Sequence, residues 1–328
     1  MRAVVFDRPG DELVLRVADV PSPEVRPGEL LLRVAATALN RADLLQRQGK
    51  YPPPPGESGI LGLECAGEVV EVGSGVEGWR RGDRAMALLA GGGYAEEVAV
   101  PAPCAMPVPE RLSLVDAAAV PEAFLTVHLT VFRLAALASG GSALVHGGGS
   151  GIGTAAIQMV KATGGRVIVT AGSAAKCRRC IELGADRAVD YRTEDFCAAA
   201  LEATDGRGVD VVLDSIGAPY LERNLASLSV GGRLVLIALM GGARVEADLA
   251  TLMKKRLSLI GSTLRARPVH EKAALVASFG ERFLPMLADG RLRPVIDRVL
   301  PIERVAEAHR AMAASEHFGK IVLTLAGT

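Results

Sequence analysis

The stretch from residue 142 to residue 173, SALVHGGGSGIGTAAIQMVKATGGRVIVTAGS, reads as a buried strand, a glycine turn, a helix and a second strand. Ala143, Leu144 and Val145 form the apolar run. The glycines at 147, 148, 149, 151 and 153 then let the backbone turn sharply and approach an anion closely. A helix from Gly151 through Met159 to Lys161 offers its unpaired N-terminal amides to that anion. Gly151-Ile152-Gly153-Thr154-Ala155-Ala156 fits the G-x-G-x-x-G/A template, with Ala156 where a small residue lets the helix pack on the strand. Arg166 to Thr170 (RVIVT) supplies the next strand at the expected distance. This is the wrapping that a dinucleotide pyrophosphate requires, and it makes Ser150, Gly151, Ile152 and Gly153 the expected phosphate cradle. A glycine-rich turn without a ligand is the plain alternative.

The end of the second strand bears on which dinucleotide. NAD sites commonly carry an Asp or Glu about 20 residues into the motif to bond the ribose 2′-hydroxyl, whereas NADP sites put cationic or hydroxyl groups there. Here the strand ends in Thr170-Ala171-Gly172-Ser173, and no acidic residue occurs between Met159 and Glu182. With Ser173 capping the following helix, Lys176 falls in its first turn and offers an ammonium to a 2′-phosphate beside the cap hydroxyl. Gly172, Ser173 and Lys176 therefore point to NADPH, with a solvated surface lysine as the alternative.

A chain of 328 residues is long for one core and suggests two domains, and 49% hydrophobic with 23% charged residues is an ordinary soluble mix. Lys plus Arg equals Asp plus Glu at 37 each, so no basic excess argues for nucleic acid or a membrane surface. The N-terminus MRAVVFDRPGDELVL lacks a signal-peptide core, and no run of about 18 apolar residues could span a bilayer. A cytoplasmic protein with small-molecule chemistry is expected. Five cysteines, at 65, 104, 177, 180 and 197, have no framework spacing and suit a reducing compartment. Cys177, Cys180 and Ile181 fall at helical spacing, which predicts that both thiols face the core rather than form a redox pair.

From about Leu125 to Thr263, helices alternate with apolar strands at 142 to 146, 166 to 170, 187 to 190, Val209 to Ser215, Arg233 to Leu239 and Leu257 to Gly261. That pattern predicts a doubly wound parallel sheet. Earlier segments such as Leu30 to Ala36, Gly67 to Val72 and Glu96 to Val100 are short, β-rich and punctuated by glycine turns, which reads as a mostly antiparallel domain. The segment after Arg265 ends in an apolar strand, Lys320 to Leu325, and is too short to stand alone. Its economical place is back on the N-terminal domain, with the cofactor domain inserted and a cleft between the two. The expected boundaries are 1–122 with 266–328 for the first domain and 123–265 for the second.

Beyond the glycine motif, the segments ALNRADLLQRQGKYPPPPG (38 to 56), ILGLECAGEVVEVGSGV (60 to 76), GDRAMALLAGGGYAEEVAVP (82 to 101), AAAVPEAFLTV (117 to 127) and LDSIGAPYLERN (213 to 224) resemble the zinc-independent quinone oxidoreductases of the medium-chain dehydrogenase/reductase superfamily. Within it they are most similar to the tumour-suppressor-inducible quinone oxidoreductase branch. The resemblance covers the whole chain. It implies an α/β protein with a GroES-like β-rich catalytic domain and an inserted doubly wound Rossmann domain, a homodimer or a multiple of one, and reduction of quinones with NADPH.

Where zinc-dependent alcohol dehydrogenases of the superfamily place a ligand Cys before Arg-x-Asp, this chain has Asn40; where they have Gly-His-Glu, it has Gly62-Leu63-Glu64. No Cys stands between Val120 and Thr130, and the structural zinc loop is replaced by the short run Leu88 to Tyr94. Glu64 alone cannot hold a catalytic zinc, which needs about three protein ligands. Quinones accept hydride without a Lewis acid, so orientation and a dry slot suffice.

The resemblance further implies that Tyr191 flanks the 2′-phosphate with Ser173 and Lys176, and that Ile216 and Gly217 wall the adenosine. It puts Met240, Gly241 and Gly242 near the nicotinamide, with Leu264, Phe318 and Lys320 as further cofactor-lining residues. A strand-end core position is the alternative for Tyr191, and plain packing for Phe318 and Lys320. Asn40, Tyr51 and Thr126 are the candidates for the substrate slot: Asn40 to donate to a carbonyl, Thr126 to bond nicotinamide or substrate, and Tyr51 to stack on a quinone beside the stiff run Pro52 to Pro55. None of them is an evident proton donor, and water remains available for that role. The neighbouring expectation is reduction of an activated enone or enoyl thioester. One from another class is an NADPH-binding structural or regulatory protein with little turnover.

Overall fold

The structure is a computed structural model and describes residues 1–325. The chain divides into two compact units, the first comprising Met1–Leu125 and the segment from Leu264 onwards, the second Thr126–Thr263. These limits differ by a few residues from the expected 122/123 and 265/266.

The first unit is built on β1 (Arg2–Val5), β2 (Arg16–Asp19), β3 (Glu29–Ala38), β4 (Glu64–Val72), β5 (Arg84–Leu88), β6 (Glu97–Pro101) and β7 (Ala105–Pro107). β1 and β2 pair as a separate antiparallel ribbon. The remainder form a seven-stranded sheet with two strands from the end of the chain, which follow the second unit's six in the numbering: β14 (Ile296–Pro301) and β15 (Lys320–Thr324). Its order is β14-β15-β3-β4-β5-β7, and β6 adds to β3. The C-terminal strand thus returns to the N-terminal sheet, pairing Val322 with Ala38 and Thr324 with Ala36. Ile321 and Leu323 of β15 join Leu30, Leu32, Val34, Cys65 and Val69 in one core, because alternate residues of a strand point to the same face.

The second unit is a six-stranded, wholly parallel sheet of β8 (Ser142–His146), β9 (Arg166–Ala171), β10 (Arg187–Asp190), β11 (Val209–Asp214), β12 (Leu228–Leu236) and β13 (Ser258–Gly261). The order β10-β9-β8-β11-β12-β13 reverses direction between β8 and β11, which makes their carboxyl ends the switch point where such sheets bind ligands. Leu144, Ile168, Val189, Val212 and Leu234 are fully buried, as strands covered on both faces demand.

Two local expectations are corrected. β12 runs from Leu228 to Leu236 rather than Arg233 to Leu239. After Leu236 the chain leaves β13 to join the β11 turn, so Leu239 is 50% exposed. In the helix Ala174–Glu182 only Cys180 is buried; Ile181 is 48% exposed and Cys177 partly so. The helix ends at Glu182, and its Cys180 packs where a side chain at Gly148 would otherwise be.

β3 and β4 lie so close at one point that a Cβ on Gly67 would come within 1.9 Å of Arg33 O, whereas one on Gly59 meets nothing within 4 Å. Gly67→Ala is expected to lower stability by at least ~1–3 kcal/mol in urea unfolding. Gly59→Ala should stay within about 0.5 kcal/mol of the parent. Equal effects at the two positions would contradict this account of the β3–β4 contact.

Candidate functional site

In the second unit, Ser150 has extended backbone (φ −79°, ψ 168°) and its Oγ accepts from Gly153 N at 2.9 Å, capping the helix Gly151–Ala162. Gly147, at φ +77°, makes the turn. A Cβ on Gly153 would reach 2.2 Å from Gly147 O, and one on Gly148 would reach 2.7 Å from Val169 Cβ. Gly153 is therefore the close-packing glycine, and the fingerprint frame is 148 to 153 with Ser150 in its second glycine place. The expected frame at 151 to 156 is displaced because the helix already begins at Gly151. A turn too tight for side chains, feeding a helix N-terminus, fits a pyrophosphate.

Ser173 caps the helix Ala174–Glu182, its Oγ accepting from Lys176 N at 3.3 Å, which puts Lys176 in the first turn. Tyr191 lies across the turn: a Cβ on Gly172 would be 2.7 Å from its hydroxyl, and its side of the ring leaves the residue 43% exposed. Gly172, Ser173, Lys176 and Tyr191 thus gather at the carboxyl ends of β9 and β10. Farther along the same sheet edge, Gly241 N donates to Ile216 O at 2.8 Å, Met240 N to Ser215 O at 3.1 Å and Ala218 N to Gly242 O at 3.0 Å. These bonds bind the two loops carrying Ile216, Gly217 and Met240 to Gly242 into one edge. Gly217 is at φ +87°, where a Cβ would be 2.7 Å from Gly242 O.

A buried polar chain, missed by the sequence reading, braces that edge. Asp214 accepts from Ile216 N at 2.6 Å, from Gly217 N at 3.1 Å and from Asn224 Nδ2 at 3.0 Å. Asn224 Oδ1 lies 2.7 Å from His146 Nε2, and His146 Nδ1 lies 3.1 Å from Thr170 Oγ1. Because Asn224 donates to Asp214, its oxygen must accept, so His146 carries its proton on Nε2 and accepts from Thr170 on Nδ1. Burial lowers the imidazole pKa to about 4, and the ring stays neutral. The available signal was a polar residue at or near the carboxyl end of three adjacent strands: Thr170, His146 and Asp214.

In the first unit, Asn40 opens the helix Arg41–Arg47, its N–H donating to Asp43 Oδ2 at 2.7 Å. Its Nδ2 donates to Glu64 Oε1 at 2.9 Å and Ala38 O at 3.2 Å, while its Oδ1 accepts from Lys320 Nζ at 2.7 Å. Both amide hydrogens are thereby taken. The expected donation from Asn40 to a substrate carbonyl is corrected: the residue holds its neighbours, and only an acceptor site on Oδ1 remains. Lys320 also donates to Leu39 O at 2.7 Å and pairs with Glu64 Oε1 at 2.6 Å, both side chains being buried. With three acceptors around it, the ammonium is engaged inside the unit. Glu64 Oε2 accepts from Glu122 N at 2.9 Å. Asp43 accepts from Gly62 N at 3.1 Å and Tyr94 OH at 3.2 Å, and burial pushes its carboxyl up to about 6.

Tyr51 sits beside Arg265, whose Cζ is 5.5 Å from the ring centroid. Arg265 Nε donates to Ala90 O at 2.6 Å and Nη1 to Tyr51 O at 3.4 Å, tying the proline-stiffened loop to the Leu88–Tyr94 turn. Arg265 and Glu122 were not singled out from sequence. Two atoms there, Arg265 Nη2 and Glu122 Oε2, are buried without a hydrogen-bond partner. Thr126 belongs to the second unit, is buried, and accepts on its carbonyl from Thr130 Oγ1 at 2.6 Å, where the helix Pro121–Val127 widens into a π-helical stretch. Leu264 and Phe318 are buried in the first unit, Phe318 N donating to Asp297 at 2.9 Å. Among the described residues no three His, Cys, Asp or Glu side chains gather closely enough to hold a metal ion. Among the described residues no helix is long and apolar enough to cross a membrane.

Residues 26–110 match the model of the alcohol dehydrogenase GroES-like domain, and residues 183–323 that of a zinc-binding dehydrogenase. The human synaptic vesicle membrane protein VAT-1 homolog is 30% identical over 95% of this chain and 83% of its own length. The rat quinone oxidoreductase is 29% identical over 99% and 98%. A phenolphthiocerol/phthiocerol polyketide synthase of Mycobacterium tuberculosis is 32% identical over 98% of this chain, which spans only 14% of that protein. Among solved structures, the Escherichia coli quinone oxidoreductase complexed with NADPH superimposes with a TM-score of 0.88 at 27% identity, covering 99% of this chain and 100% of its own. CurK enoyl reductase gives 0.87 at 27%, covering 99% of each. An NAD-dependent alcohol dehydrogenase gives 0.86 at 35%, again covering 99% of each.

Removing the Lys320 ammonium leaves Glu64 as a buried charge. Lys320→Met is expected to cost about 3–5 kcal/mol in urea unfolding, and adding Glu64→Gln should recover much of that. A loss below about 1 kcal/mol for the single variant would mean that Lys320 does not neutralise Glu64.

Proposed function

Because this chain belongs to the medium-chain dehydrogenase/reductase superfamily and is an oxidoreductase of it, we propose that it reduces a quinone with NADPH and without a metal. The observation that carries the reading is the Lys320 ammonium, bonded to Glu64 and Asn40 where zinc-dependent relatives put metal ligands. A fixed positive charge already neutralises the carboxylate there, and an amide and a leucine replace thiolate and imidazole. The donor set suits an ammonium, not zinc.

Gly147 to Gly153 would hold the pyrophosphate, with Ser150 ordering the first turn of the helix. Ser173 and Lys176 would bind the 2′-phosphate and the Tyr191 ring would cover it, while the braced loops at Ile216–Gly217 and Met240–Gly242 would carry the remainder of the dinucleotide. Bound there, NADPH supplies hydride. The protein orients the acceptor with Tyr51, held over Arg265, and keeps water from it. Likeness to a quinone oxidoreductase solved with NADPH supports both cofactor and acceptor. Likeness to an enoyl reductase supports a second reading, reduction of an activated enone or enoyl thioester.

NADPH oxidation against ortho- and para-quinones, beside enones and enoyl thioesters, separates the two readings. Tight NADPH binding without turnover of any quinone would remove the first. Lys176→Ala should weaken NADPH by about tenfold or more, the worth of a charge-assisted hydrogen bond, and leave NADH within about twofold. Equal weakening of both would contradict the 2′-phosphate assignment.

We also propose a homodimer joined through β13. That strand ends its sheet, and Leu259 on it is 46% exposed, with Met253 74% and Leu249 64% exposed in the helix before it. An unpaired, apolar strand edge favours pairing with its own copy about a two-fold axis. Leu259→Lys should shift the mass in light scattering towards the monomer.

A further inference from the structure

We propose that Glu122 is the acid that delivers the proton of the reduction. The inference deepens the hydride-transfer reading and rests on it. Hydride addition to a carbonyl acceptor leaves a negative oxygen, and addition to an enone leaves an enolate, so either acceptor needs a proton as well as a hydride. Asn40 cannot supply it, since both its amide hydrogens are bonded to Ala38 and Glu64. Glu64 is paired with Lys320 through Oε1 and accepts from Glu122 N on Oε2. Asp43 accepts on both oxygens, from Gly62 N on one and from Asn40 N and Tyr94 OH on the other.

Glu122 differs from these carboxylates in two ways. Its Oε2 is buried and has no hydrogen-bond partner, in a cluster where both oxygens of Glu64 and of Asp43 are bonded. A buried oxygen without a donor is costly as part of a carboxylate and far less so as part of a neutral acid. Its own main chain is also bonded to Glu64, which puts a like charge beside it. Lys320, Lys272, Glu64 and Asp43 face the carboxyl, and Tyr51 and Arg265 are close enough to feel its charge. Burial first, and then the Glu64 carboxylate, push Glu122 up to about 8. At neutral pH it holds its proton, beside the tyrosine expected to stack on the acceptor.

In the step, the Glu122 O–H bond breaks and its electron pair stays on the carboxylate. The proton forms an O–H bond on the reduced quinone, or a C–H bond on the enolate. The partly buried carboxylate then regains a proton from water, so the net reaction consumes one hydride and one solvent proton. Transfer to a phenol-like oxygen, whose conjugate acid lies near about 10, runs downhill from an acid near 8. Because the acid form is active, turnover falls as pH rises through about 8.

The test compares the full chain with its Glu122→Gln and Glu122→Asp variants. Glu122→Gln should lower kcat by about 10²- to 10⁴-fold with little change in KM, abolish the alkaline fall of kcat, and bind NADPH as the parent does. Glu122→Asp should restore part of the rate together with a pH limb. Infrared difference spectra of the unmutated protein should lose a protonated-carboxyl band with a midpoint near pH 8, and Glu122→Gln should lack that change. A Glu122→Gln variant with the parent's kcat and pH profile overturns the inference, as does a parent protein without that infrared transition. A parent that reduces no acceptor but shows the transition would fail the functional reading while keeping the acid in place.

Discussion

The ion pair between Lys320 and Glu64 joins three parts of the first unit that lie far apart in sequence: the last strand, the start of β4 and the turn after β3. Two opposite charges 2.6 Å apart in a buried setting are stable only when their remaining hydrogen-bonding groups are also bonded. The chain meets that condition with Leu39 O, Asn40 and the Glu122 N–H. Each of those bonds fixes something else. Asn40 begins a helix, Glu122 begins another, and Lys320 anchors the C-terminal strand. The return of residues 320–324 to the N-terminal sheet is therefore secured by charge as well as by the buried apolar run Ile321 to Leu323 of β15.

The second unit solves a comparable problem without charge pairing. The carboxyl ends of β8, β9 and β11 must stay open for a ligand yet rigid. A neutral His146 between Thr170 and Asn224, with Asp214 beyond, ties those three strand ends together and holds the β11 turn in shape. The glycines then make close approach geometrically available, and Cys180 packs beneath Gly148. In both units, buried polar side chains fix the direction of the backbone at the places where ligand groups are proposed to bind.

Much of this was legible in the chain itself. The strand–turn–helix–strand at 142 to 171, the capping roles of Ser150 and Ser173, and the alternation that makes a parallel sheet all arise from local rules, namely hydrophobic runs, glycine turns and helix caps. The frame of the fingerprint was not legible, because five glycines in seven positions admit more than one frame until the helix start is known. The end of β12 was missed for a similar reason, since Leu239 is apolar but the β11 turn draws its backbone away from the sheet. Ile181 looked like part of a core face, but the short helix leaves it outside.

What the sequence determined by itself was local: which segments become strands, where helices start, and that no carboxylate stands ready for a ribose hydroxyl. These follow from residues within a turn or two of one another. The pairing of Lys320 with Glu64 across more than two hundred residues, the loss of Asn40 as a free donor, and the unpartnered oxygen of Glu122 were decided only by tertiary structure. Whether a polar side chain is a reagent or a brace depends on which partners already occupy its hydrogen-bonding positions. Those partners come from distant strands, and only folding brings them together.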